Sequence, residues 1–218
     1  MIIKENVIKL QNIIKNYPSS SFVVSSKYMT NNDIKQLKEL EVYEYGENKV
    51  DSLISKYDSF SSDKRIKWHF IGTLQTNKVK HVVDKIICLH SLDRYNLAVE
   101  LNKRLNSPLD CYVQVNINNE ATKHGLKYNE VIDFIRKVKQ LPKINVVGIM
   151  CIGSLNSDAN VICSEFKLMN DLKGMIEDTF DDLNIKLSMG MSNDYELALE
   201  YGANIVRIGR ILIGEKYD

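Results

Sequence analysis

The stretch FVVSSKYMTNNDIKQLKEL, Phe22 to Leu40, carries one complete structural unit. Phe22 to Val24 form an apolar run too brief for a core helix and suited to a strand. The polar lead-in TNND precedes a stripe of Ile34, Leu37 and Leu40 at helical spacing. Between strand and helix stands Lys27, carried out of an apolar run to the edge of the core. Burying an ammonium group is costly unless a partner or a chemical task compensates it, so this lysine calls for an explanation.

The strand-then-helix rhythm continues on both sides. Upstream, Val7, Leu10, Ile13 and Ile14 mark an extra first helix that Pro18 stops. Downstream, VYEYGEN reads as a strand ending at Gly46, and Val50, Leu53, Ile54 and Tyr57 mark the next helix. Further strands are expected at Trp68 to Ile71, Ile86 to Leu89, Cys111 to Ile117, Val146 to Met150, Ile185 to Leu187 and Ile205 to Ile208. Helices are expected at 76–83, 93–106, 128–140, 158–175 and 193–201. Such alternation calls for a parallel sheet with helices outside it. An open doubly wound sheet and a closed barrel both satisfy it, and the count of eight strands favours closure. A barrel usually takes about 250 residues, so 218 residues predict a compact one with short loops. Without a linker-like tract, residues 1–218 read as a single domain. The expected fold is α/β, a (β/α)8 TIM barrel with an additional N-terminal helix.

Composition removes several functional classes. Lys plus Arg number 29 against 28 Asp plus Glu, a net charge of +1, which gives no general attraction to nucleic acid or an anionic membrane. Cys88, Cys111, Cys151 and Cys163 form no CxxC pair and read as small buried hydrophobes in a reducing compartment. The four histidines show no metal-ligand spacing, so no metal is expected. The N-terminus is interrupted by charge every few residues, and no run approaches the roughly 20 apolar residues of a membrane span. A cytoplasmic protein is expected.

Parallel strands share one C-terminal face, where barrel enzymes place their chemistry. The first strand delivers Lys27 there, the second Glu47 and Asn48, and the third His69 followed by Gly72, Gln75, Asn77 and Lys78. His90, Ser91, Asp93 and Arg94 follow the fourth, and VNINNEATKHG, with Lys123 and His124, follows the fifth. LSMGMSND and VRIGR close the series with Met189, Ser192, Arg207 and Gly209. Glycine and serine loops at strand ends present N–H groups to anions, and barrels commonly bind phosphate beside their last two strands. A phosphate site facing a strand-end lysine suggests an aldehyde cofactor or a sugar phosphate captured by the amine. His69 and His124 pair by spacing with no carboxylate and read as hydrogen-bonded rim or core residues.

The segments VVSSKY, YGENKV, KWHFIGTLQTNK, HSLDR, VQVNINNEATKHG, VVGIMCIG, LSMGMSNDYELAL and VRIGRILIG, in this order, carry a resemblance. The chain resembles the pyridoxal phosphate homeostasis proteins, single-domain relatives of the alanine racemase N-terminal barrel. The resemblance implies pyridoxal 5′-phosphate (PLP) attached covalently to Lys27 as a Schiff base. It implies a pocket lined by Asn48, His69 and Gly72, a phosphate held near Met189, Ser192 and Gly209, and Arg207 facing the pyridine nitrogen. It further implies a monomer that carries, buffers or supplies PLP, without established catalysis, with apo PLP-dependent enzymes as recipients. A weak PLP-dependent amino-acid racemase and a regulatory interaction module are the rival readings. Lys123 is a candidate for assisting transfer. Arg207 has only donors, so facing the ring nitrogen it would weaken the ring as a sink for carbanion charge. Tyr28, Thr73, Arg210 and Ile211 depart from the family's usual residues and would reshape the mouth rather than remove the site.

Overall fold

The computed structural model describes residues 2–118, 120, 123–154 and 158–214. Residues 119, 121 and 122 of the VNINNEATKHG segment lie outside the described residues. Eight strands form the sheet: β1 (Ser21–Ser25), β2 (Glu44–Glu47), β3 (Lys67–Phe70), β4 (Cys88–Leu92), β5 (Leu109–Val115), β6 (Ile144–Cys151), β7 (Lys186–Ser188) and β8 (Ile205–Ile208). Each pairs in parallel with the next, and β8 returns to β1 with Ser21 to Val24 aligned on Ile205 to Ile208. The sheet is therefore a closed barrel, as the eightfold alternation predicts.

The α-helices among the described residues are α1 (Ile2–Ile14), α2 (Asn31–Glu39), α3 (Val50–Phe60), α4 (Tyr95–Arg104), α5 (Val131–Val138), α6 (Ala159–Thr179), α7 (Tyr195–Glu200) and α8 (Arg210–Ile213). The lead-in before α2 is a reciprocal cap. Thr30 Oγ1 accepts from the Asp33 N–H, and Asp33 Oδ2 accepts from the Thr30 N–H. Ile34 and Leu37, the stripe that marks this helix in the sequence, are fully buried. α1 ends at Ile14, before Pro18, and Asn6 Nδ2 donates to Leu212 O of α8.

Three expectations shift. Residues 76–83 form 3-10 turns over Thr76–His81 rather than an α-helix; the segment buries Val79 and Val82 fully, with Val83 partly buried against the core. The fourth strand runs from Cys88 to Leu92 rather than Ile86 to Leu89. Ile86 is buried ahead of the ladder while Ile87 is 46% exposed, so the apolar run marked burial, not pairing. β5 stops at Val115 because Asn116 turns into the following loop, its N–H donating to Leu126 O and its amide to Glu120 O.

The barrel divides its side chains. Ile, Leu, Val and Phe fill the layer between strands and helices. The interior is mixed, with Cys88, Tyr112 and Met150 packed beside buried His69, His90, Gln114, Ser188 and Arg207. A polar interior in so small a barrel must satisfy its own hydrogen bonds.

Candidate functional site

β1 leaves the sheet after Ser25 through a 3-10 turn, Ser26–Tyr28. The buried position in that turn belongs to Ser26, while Lys27 is exposed at the mouth. This corrects the expectation of a buried strand-end lysine. The buried ammonium of the unit is Lys56, reaching in from α3. Its Nζ donates to Glu47 Oε1 at 2.5 Å and to Ser26 O at 2.5 Å, and Glu47, 1% exposed, also accepts from Ser26 Oγ at 2.7 Å. A buried charge pair offsets its desolvation only through close, hydrogen-bonded geometry of this kind. Here that geometry anchors the turn carrying Lys27.

At the surface of the same turn, Lys27 Nζ lies 4.6 Å from the centre of the Tyr28 ring. A hydrogen bond with Lys27 and the charge of that lysine pull the Tyr28 phenol below its usual range, with Arg210 and Lys49 adding smaller positive contributions. The mouth beside Lys27 is therefore cationic.

β8 supplies the neighbouring wall. A Cβ on Gly209 would stand 2.9 Å from Ser25 O, so only glycine lets the end of β8 lie this close to the end of β1. The Gly209 N–H points at Ser192 Oγ over a long 3.4 Å. Ser192 is half-buried in the loop before α7. Asp194 braces that loop, its Oδ1 accepting from the Met191 N–H at 2.6 Å. Burial holds the Asp194 carboxyl above its usual range, opposed by that hydrogen bond and by the charge of Arg207. The Met189 side chain is fully buried in the layer under the helices, so anything Met189 offers at the mouth is backbone.

Arg207 is buried, and its terminal nitrogens donate to Ser188 Oγ and to Cys151 O, each at 2.7 Å. The network continues across the interior, with His90 Nδ1 2.9 Å from Ser188 Oγ and His90 Nε2 3.0 Å from His69 Nδ1. His69 is thus a hydrogen-bonded interior histidine, as the sequence suggests, rather than a residue of the open rim. Both of its ring nitrogens face other side chains of the barrel, Nδ1 toward His90 and Nε2 toward Glu44.

Across the mouth, Gly72 packs on the backbone of Asn48, where an added Cβ would meet Asn48 O at 2.3 Å. Asn48 Oδ1 is buried without a hydrogen-bond partner among the described residues. Asn48 lines a cavity of about 610 Å³ together with Lys49, Thr73, Lys78, Arg94 and His124. A second cavity of about 200 Å³ adjoins it through Thr73 and His124 and includes Lys123. Lys123 Nζ donates to Glu120 Oε1 at 2.8 Å and Gly153 O at 3.3 Å. It stands on the loop after β5, four strands round the ring from β1.

The structure gathers Lys27, Ser192, Arg207 and Gly209 along β1, β7 and β8, and places Asn48, Gly72 and Lys123 on the other arc of the mouth. Sequence reading placed Glu47 at the polar face without its role, and missed Ser26 and Lys56, which with it support the Lys27 turn, and Ser188, the hydroxyl shared by Arg207 and His90. Adjacency to Lys27 was the one signal for Ser26. No spacing marks the others.

Residues 35–216 match the model of the alanine racemase N-terminal domain family. The pyridoxal phosphate homeostasis protein of Aquifex aeolicus is 39% identical over 175 residues, covering 79% of this chain and 76% of that protein. Its counterpart in Pasteurella multocida is 31% identical over 229 residues, covering 99% and 98%. Among solved structures, PipY of Synechococcus elongatus without PLP superposes with a TM-score of 0.91 at 26% identity, covering 97% of this chain and 99% of that one. The same protein with PLP bound gives 0.90. The motifs, the closed barrel and these likenesses agree, and the chain belongs to the pyridoxal phosphate homeostasis proteins of the alanine racemase N-terminal domain family.

Proposed function

We propose that this protein binds PLP covalently through Lys27 and takes part in intracellular PLP homeostasis as a carrier or store of the cofactor. The observation that carries the reading is the junction of β1 and β8. Ser25, two residues before Lys27, backs onto Gly209, whose N–H faces Ser192 Oγ. An exposed amine and a hydroxyl–amide pair suited to a phosphate oxygen therefore occupy adjoining strand ends.

The residues present fit the group. The long Gly209–Ser192 contact has room to be exchanged for stronger bonds to an anion, and the cationic surroundings of Tyr28 favour one. The unpartnered Asn48 Oδ1 is an acceptor waiting for a donor. When bound, PLP supplies an aldehyde that a primary amine can capture. Lys27 offers that amine on a turn held from beneath by Glu47 and Lys56. Tyr28, hydrogen-bonded to Lys27, is placed to exchange a proton with it. Ser192 and Gly209 would hold the phosphate, with the Met189 backbone in the same loop.

Arg207 disfavours a ring that acts as a sink for carbanion charge. It can donate but not accept, and among the described residues its hydrogen-bond partners are Ser188 Oγ and Cys151 O, not a carboxylate. Beside a pyridine nitrogen it would oppose protonation of the ring. The proposal is accordingly a carrier, and it includes apo PLP-dependent enzymes as recipients, a monomeric state and a cytoplasmic location. Among the described residues, no helix is long and apolar enough to cross a membrane.

The absorbance spectrum of protein mixed with PLP tests the proposal. A visible band that borohydride abolishes, with the reduced adduct located on Lys27 by mass spectrometry, is expected. A colourless, unmodified protein overturns it. Appreciable racemisation of amino acids, lost in Lys27→Ala, would overturn the non-catalytic part alone.

A further inference from the structure

The barrel interior holds a second group of side chains that the mouth does not use. His69 on β3 and Cys88 and His90 on β4 each place a nitrogen or sulfur within 4.8 Å of the others. All three are buried, at 3%, 4% and 0% exposure. His69 Nδ1 and His90 Nε2 face each other at 3.0 Å. Their other nitrogens face oxygen, His90 Nδ1 at 2.9 Å from Ser188 Oγ and His69 Nε2 at 3.5 Å from Glu44 Oε2. His69 Nε2 makes no hydrogen bond of ordinary geometry, although it is buried.

An imidazole whose outer N–H is turned toward a carboxylate or hydroxyl has its inner lone pair oriented for a metal, and outer-shell partners of this kind are a regular part of metal sites. We propose that His69 Nδ1, His90 Nε2 and Cys88 Sγ form a binding site for a zinc-class divalent transition-metal ion, with Glu44 and Ser188 orienting the two imidazoles. Mixed thiolate and imidazole ligands select such ions over magnesium or calcium. Metal–nitrogen bonds of about 2.0–2.1 Å at a tetrahedral angle need the two nitrogens about 3.3–3.4 Å apart. The present 3.0 Å has to open by only a few tenths of an ångström.

Proton positions follow from the network. Arg207 only donates, so Ser188 Oγ accepts from it and can give its own proton to His90 Nδ1. His90 Nε2–H then donates to His69 Nδ1, leaving His69 Nε2–H toward Glu44. On loading, the His90 proton moves to Nδ1, where Ser188 Oγ accepts it. The Cys88 S–H bond breaks and its proton leaves to solvent, so one proton is released for each ion bound. Glu44 begins β2 at the lower opening of the barrel with its side chain 34% exposed, in an ion pair with Lys67.

Cobalt(II) is the probe, added to full-length Lys27→Ala protein so that PLP absorbance does not interfere. The expected result is a near-ultraviolet thiolate-to-cobalt band with visible tetrahedral bands, saturating at one ion per chain and displaced by zinc. Cys88→Ser should remove the near-ultraviolet band. Glu44→Gln, which alters no ligand, should weaken binding about 10- to 100-fold. Absence of the band from protein shown to be folded by circular dichroism overturns the proposal. So does a band that survives Cys88→Ser, since the metal would then sit elsewhere.

Discussion

Replacing Lys56 by methionine tests how the fold presents Lys27. The substitution roughly conserves volume but removes the cation that meets Glu47 Oε1 and Ser26 O, both at 2.5 Å. Glu47, at 1% exposure, would be left as a buried carboxylate with only Ser26 Oγ as a donor. Breaking a buried pair from one side costs about 3–5 kcal/mol. Lys56 is 9% exposed, so water reaches part of the site and the lower end, about 3 kcal/mol, is expected. Against a total stability of about 5–15 kcal/mol, that shift is readily measured by urea unfolding. The double variant Lys56→Met with Glu47→Leu removes the orphaned charge and should recover most of the loss. It should not restore cofactor capture, because Ser26 then lacks both its Glu47 and Lys56 tethers. Capture followed by absorbance should remain slower by about tenfold or more, the equivalent of about 1.4 kcal/mol. A single variant losing less than about 1 kcal/mol would refute the energetic reasoning. A double variant capturing PLP as fast as the native protein would refute the link between this ion pair and Lys27.

Gly209→Ala sets a methyl 2.9 Å from Ser25 O, prising β8 from β1. It should weaken PLP binding about tenfold or more, a cost of at least about 1.4 kcal/mol, measured by equilibrium titration. The Tyr28 phenol should ionise below its ordinary pKa of 10.0 in ultraviolet difference titration of native against Tyr28→Phe protein, and move back toward that value in Lys27→Ala. Asp194 has its carboxyl raised above the ordinary 3.8 by burial. The folded state therefore holds this proton more tightly than the unfolded chain, and the resulting stability is lost as pH rises from 3.8 through the folded-state value. Asp194→Asn lacks that loss, so urea midpoints of the variant should improve relative to the native protein between acid and neutral pH.

Much of the architecture was legible in runs of a few residues. Phe22 to Val24, Val146 to Met150 and Ile205 to Ile208 all lie in strands, and Thr30 caps the helix bearing Ile34 and Leu37. These signals are local, since strand burial and helix capping are decided within a turn or two of chain. The residues of the proposed cofactor site were legible as types, a lysine after the first strand and glycine and serine after the last two. Their order round the barrel followed from parallel alternation.

Which lysine is buried was not legible. Lys27 follows the apolar run, yet Lys56, 30 residues from Ser26, takes the interior place. Equally hidden was the meeting of His69, Cys88 and His90, and the bond between His90 and Ser188 across 98 residues of sequence. The number and order of strands, the face on which polar residues collect, and the family can all be read along the chain. Only closure of β8 on β1 decided which of those polar groups touch. Closure turns alternate side chains of distant strands into one narrow interior, where each buried donor must find an acceptor whatever its distance along the chain.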